Sequence, residues 1–138
     1  MGSIQINQTS AFAPAVCSHR GQLHMVFVAN NDSRELLHVA SQDGINWSRK
    51  LNVRQSTKAA PALSSFGNTL RVLFIANNNT NTLLECVYDD ADDNWSDNHP
   101  IVGQSSKTAP ALAQMNGLFM YFVANNDSND LLALNISL

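Results

Sequence analysis

Two polar phrases each occur three times along the chain, and each offers neutral hydrogen-bonding groups. Gln8-Thr-Ser returns as Gln55-Ser-Thr and as Gln104-Ser-Ser. The pair Asn30-Asn31 returns as Asn77-Asn78 and as Asn125-Asn126. Amides and hydroxyls both donate and accept hydrogen bonds, which is what the hydroxyls of a carbohydrate need at fixed positions. Lys58 and Lys107 add a cation to two copies of the Gln phrase, whereas Ala11 and Phe12 occupy the first. Three such sites would therefore not be identical. The paired Asn also suit plain turns, because Asn tolerates left-handed backbone and bonds its own turn.

Trp47 and Trp95 are candidate platforms for a sugar ring, since indole offers a flat face and an N–H. Their place near the opposite face from the polar phrases favours packing over binding. His19, His24 and His38 belong to the first copy only, with Phe66, Arg71 and Glu85 as counterparts. No His set repeats, so these are expected to be accommodated rather than used. Cys17 and Cys86 are not at equivalent positions, which points to two free, buried thiols. No Cys/His spacing of a zinc site is present, and neither a metal nor a cofactor is expected.

Catalysis would need a set of groups that the sequence does not display. A sialidase requires several Arg on a substrate carboxylate and a Tyr nucleophile with a Glu partner. Here the Arg do not repeat, Tyr88 and Tyr121 fall inside strand-like runs, and Glu occurs only at 35 and 85. No Gly-x-Ser-x-Gly element is found. The expectation is a binding protein rather than an enzyme. The alternatives are a protein-interaction scaffold and a sialidase-like glycosidase.

The elements that must hold these residues follow from an internal repeat. Ala13-Pro14-Ala15-Val16 returns as Ala60-Pro61-Ala62-Leu63 and Ala109-Pro110-Ala111-Leu112, at intervals of 47 and 49 residues. Phe27-Val-Ala-Asn-Asn returns as Phe74-Ile-Ala-Asn-Asn and Phe122-Val-Ala-Asn-Asn. Leu36-Leu37, Leu83-Leu84 and Leu131-Leu132 complete the set. The units run over about 8–54, 55–103 and 104–138 of one domain, 1–138. Gly and Asn/Asp clusters divide the first into four strand-like runs, near 13–19, 22–29, 35–41 and 47–53. The second run is apolar on both faces, as a strand packed between two neighbouring sheets must be. The pattern predicts an all-β propeller with three four-stranded blades. In such blades the polar phrases share one face.

The phrases Ala-Pro-Ala-Leu, the following Leu-x-x-x-Phe strand and Asp43-Gly44-Ile-Asn-Trp47-Ser48 resemble bacterial and fungal propeller lectins, among them the fucose-binding lectins of insect-pathogenic bacteria. The resemblance implies a carbohydrate-binding lectin with sites repeated around a ring. Ser41-Gln-Asp43-Gly44-Ile-Asn-Trp47 is also similar to the Asp-box of sialidases, with one residue fewer between Asp and Gly. That box implies a structural turn between the third and fourth strands, and it is degraded at 89–95.

The blade count sets the assembly. The third unit stops after its third strand, while residues 1–7 resemble an outer strand, so the N-terminal segment is expected to complete another blade and cover its edge. Propellers have about four to eight blades, so two chains closing into a six-bladed homodimer satisfy both ends. Glycans and a second copy are the expected partners. The net charge of −3 and the lack of a basic cluster argue against nucleic acid. No apolar run approaches a membrane span. No signal peptide is visible at the N-terminus, and the location of the protein is left open.

Overall fold

A computed structural model describes residues 2–137. Twelve strands and no α-helix occur among the described residues, and no helix is long and apolar enough to cross a membrane. The first sheet is an antiparallel meander of β1 (Ala15–His19), β2 (Gln22–Val28), β3 (Glu35–Ser41) and β4 (Leu51–Ser56). The second contains β5 (Ala62–Phe66), β6 (Thr69–Ile75), β7 (Thr82–Asp89), β8 (Asn94–Trp95) and β9 (His99–Ser105), with β8 and β9 both pairing with β7. The third has β10 (Ala111–Gln114), β11 (Leu118–Val123) and β12 (Leu131–Asn135). These are three blades of a propeller. β1, β5 and β10 lie side by side at the inner end of the arc.

Alternation along the strands sorts each blade into two faces. Val26, Val28 and Leu36 of the first blade meet Leu63, Leu70, Val72 and Phe74 of the second. One blade further on, Leu73, Ile75 and Leu83 meet Met120 and Phe122. The central strand β6 is thus covered on both sides, which explains the unbroken apolar run Val72–Ile75. The ends of the arc lack this cover. Leu131, the counterpart of the fully buried Leu36 and Leu83, is 74% exposed, and Tyr121 and Leu132 beside it are exposed as well. Val16 and Leu23 are exposed at the other end.

Two boundaries differ from the sequence expectation. The fourth strand begins at Leu51 rather than Trp47. The chain first crosses over at Ser48, whose N–H donates to the Ala40 carbonyl (2.8 Å) and whose hydroxyl accepts from the Ala40 N–H (2.9 Å). Strand pairing then resumes only after the exposed Arg49 and Lys50. In the second blade the same crossing leaves the two-residue β8 separate from β9. In the single chain residues 3–8 form no strand. The unpaired edge of β12 is in the third blade, away from the blade that this segment precedes.

Candidate functional site

The links between blades meet the β2–β3, β6–β7 and β11–β12 turns on one face of the arc. The Thr57 N–H donates to the Arg34 carbonyl (3.0 Å), and the Ser106 N–H donates to the Asn81 carbonyl (2.9 Å). Lys58 Nζ donates to the Asn78 carbonyl and Lys107 Nζ to Asn129 Oδ1, both at 2.8 Å. Much of the recurring polarity there is spent on holding the backbone. Asn31, Asn78 and Asn126 each accept through Oδ1 from the N–H two residues on, at Ser33, Thr80 and Ser128. The hydroxyls of Ser10, Thr57 and Ser106 donate to the carbonyls two residues ahead. These are side-chain turns that replace backbone hydrogen bonds.

The first Asn of each pair is freer. Asn30 and Asn77 are exposed, while Asn125 Oδ1 accepts from Asn81 Nδ2 (2.8 Å). Gln55 Oε1 accepts from Asn98 Nδ2 (3.0 Å), and Gln8 and Gln104 are half-buried. A cleft of about 280 Å³ gathers Gln8, Asn30, Asn31, Glu35 and Lys50. Another, of about 460 Å³, is lined by Glu35, Asn52, Arg54 and Gln55.

The Trp candidates divide. Trp95 is 1% exposed, packs between the first and second blades, and donates from Nε1 to His38 Nδ1 (3.1 Å). It cannot serve as a sugar platform, because no face of its ring reaches solvent. Arg54 crosses from the first blade to donate to the Trp95 carbonyl (2.6 Å) and fixes it there. Trp47 is half-buried, with Nε1 unpartnered, and lines a cleft of about 430 Å³ beside Asp43 and Asn46. The Asp43 carboxylate caps that turn. It accepts from the N–H groups of Asn46 (2.8 Å) and Ile45 (2.9 Å) and from Asn46 Nδ2 (2.8 Å). Those donors hold its carboxyl well below the usual carboxylate range.

A second cluster lies on the other side of the blades, where the first two meet. His19 Nε2 reaches the Asp90 carboxylate (3.0 Å), and its Nδ1 lies 2.6 Å from Ser65 Oγ. His24 and His38 stack, with His24 Nδ1 2.9 Å from His38 Nε2. Tyr88 packs edge-on to His38 and donates to Asp93. Burial pushes His38 down to about 4, aided by the neighbouring His24, and burial lowers His24 in the same direction. Burial also raises the Tyr88 hydroxyl, reinforced by its bond to Asp93. Sequence reasoning left these His as merely accommodated. Strand parity carried the signal: His19 pairs across from Gln22, His24 from Cys17 and His38 from Val26, all on the face turned to the second blade.

Cys17 is half-buried, not fully buried as expected, and Cys86 is buried. Both are free, and burial pushes their thiols up to about 11 and about 12. Among the described residues, no group of three or more His, Cys, Asp or Glu is placed to hold a metal ion.

Solved structures share this architecture. A Bacteroides ovatus protein described as xyloglucan PUL GH43B superposes with a TM-score of 0.64 at 14% identity, over 88% of this chain and 25% of its own. A xylan β-1,4-xylosidase from Bacillus halodurans C-125 gives 0.66 at 13%, over 90% and 27%. The Bacillus subtilis arabinanase Arb43A gives 0.58 at 13%, over 85% and 48%. The chain spans between a quarter and a half of these proteins. At such identities the likeness establishes the fold: the chain is a partial β-propeller. No family model and no curated protein matches the chain.

Proposed function

We propose that the protein is a non-catalytic carbohydrate-binding lectin whose sites repeat around a ring of six blades, closed by two copies of the chain. The observation that carries this is the convergence of link and turn on one face of the arc, with the amides of Asn30 and Asn77 left over once the turns are satisfied. Gln8 and Asn30 present such groups at a cleft of sugar-ring size, and Asn77 presents its amide on the exposed surface of the next blade. Carbohydrate-active proteins among the fold neighbours support the same ligand class. Sites repeated on one ring turn weak contacts into avidity when the target surface is multivalent.

A glycan array tests the ligand class. Binding to neutral glycans, lost on Asn77→Ala combined with Asn30→Ala, is expected. An empty array with protein partners in a pull-down would replace the lectin with a scaffold. Hydrolysis of chromogenic xyloside or arabinoside by the purified protein would replace it with a glycosidase.

A further inference from the structure

The cleft at the junction of the first two blades carries more than packing. It measures about 300 Å³ and is lined by His19, Arg20, Gln22, His24, Tyr88, Asp90 and Asp93, with Ala40 and Ser48. Ligand pockets begin at roughly this size, so it suits one ring rather than an oligosaccharide.

The hydrogen-bond chain behind it has a fixed direction. Indole N–H only donates, so His38 Nδ1 accepts from Trp95. Neutral His38 then carries its proton on Nε2 and donates it to His24 Nδ1. Neutral His24 therefore holds its own proton on Nε2. That nitrogen has no partner among the described residues, although the ring is only 6% exposed and lines the cleft. This N–H is open to the cleft rather than sealed in the core, so it is free to donate to an acceptor from outside the chain. Carboxylates stand on the same cleft. Asp93 takes the Tyr88 hydroxyl on Oδ1 and keeps Oδ2 free. Asp90 takes His19 and stands 3.8 Å from Arg20 Nε.

We infer that this cleft is a binding site for a single neutral sugar ring, recognised through a pair of neighbouring hydroxyls. One hydroxyl accepts from His24 Nε2–H and donates to a carboxylate, and its neighbour bridges Asp93 and Arg20 or Gln22. A donor and an acceptor set beside each other match a hydroxyl, which is both. An anion would meet two carboxylates, and a cation would meet the His24 N–H. This inference rests on the carbohydrate reading above, but it places a site on the side of the blades away from the Gln and Asn phrases. It also confines that site to one pair of blades, because Phe66, Arg71 and Glu85 replace the three His in the next.

The test is a titration of the ¹⁵N-labelled protein with methyl α-L-fucopyranoside, methyl β-D-galactopyranoside and methyl β-D-xylopyranoside, followed through imidazole and backbone signals. Saturable shifts of His24 Nε2–H and of the Asp93 amide with at least one glycoside are expected. Asp93→Asn should weaken that binding about tenfold with no change in melting temperature. If Asp93→Asn also lowers the melting temperature, Gln22→Ala serves as the second variant, with weaker binding again expected. Saturable shifts confined to Gln8, Asn30 and Asn77 would overturn the junction site and leave the carbohydrate reading standing. Silence at every position with all three glycosides would overturn the junction site, and an empty glycan array beside it would overturn the carbohydrate reading too.

Discussion

The junction between the first and second blades and the junction between the second and third use equivalent backbone positions with different chemistry. At the first, His19, His24 and His38 join Tyr88 and Trp95 in an aromatic cluster edged by Asp90 and Asp93. At the second, Phe66, Arg71 and Glu85 take those positions, and Arg71 Nη1 faces Glu85 at 3.8 Å. Gln114 crosses there to Ser64 Oγ (3.2 Å) and to the Ser65 carbonyl. The apolar layer is the same kind in both, made of Leu, Val, Ile and Phe from facing strands. A repeat thus keeps its core and is free to vary a polar layer at one side. At the first junction that freedom has built a cleft of about 300 Å³, whereas at the second Arg71 Nε is buried without a partner.

The largest expected effect separates the two junctions outright. Trp95→Ala removes the largest fully buried side chain from the first, and urea unfolding should show a loss of about 3–5 kcal/mol. A loss below about 1 kcal/mol would mean that the first junction does not hold the blades together.

Acid should come next. Unfolded, His38 takes up a proton near 6.5; folded, not until about 4. Between those values the unfolded chain binds more protons, so stability falls as pH falls through that window, by about 3 kcal/mol at its lower end. His24 is shifted in the same direction and adds to the fall. His38→Gln, measured by thermal melts from pH 7 to pH 4, should flatten the decline. A variant that declines as steeply as the parent would remove His38 as its source.

The smallest effect belongs to the second junction. Glu85→Gln breaks a partly buried pair at a long distance, and about 1 kcal/mol is expected in the same urea assay. A cost matching that of Trp95→Ala would make the two junctions equals.

Much of this comparison was legible in the sequence. Three ordered markers at a near-constant interval fixed the number of units, and the run near 22–29, apolar on both faces, marked the second strand of a blade as one packed between neighbours. The place of Trp47 was not legible, because the turn it closes depends on Ser48 reaching back to Ala40. The recurring Ser, Thr and second Asn looked available for ligand, yet side-chain turns consume them. The histidine cluster was half legible. Parity puts His19, His24 and His38 on one face, but Tyr88, Asp90 and Asp93 meet them only once blades pack side by side. The run Asp89-Asp-Ala-Asp-Asp93, read as a degraded turn, supplies two of the carboxylates.

The exposed ends of the arc bear on the assembly. Leu131 and Tyr121 on one end, and Val16 and Leu23 on the other, occupy positions that neighbouring blades cover within the chain. A second copy offers each end the surface that the inner junctions already use. The solution mass of the folded protein, by native mass spectrometry or analytical ultracentrifugation, tests ring closure most directly. Twice the chain mass is predicted, falling to a single chain on Leu131→Asp with the blades still folded. A single-chain mass for the folded parent protein would contradict it.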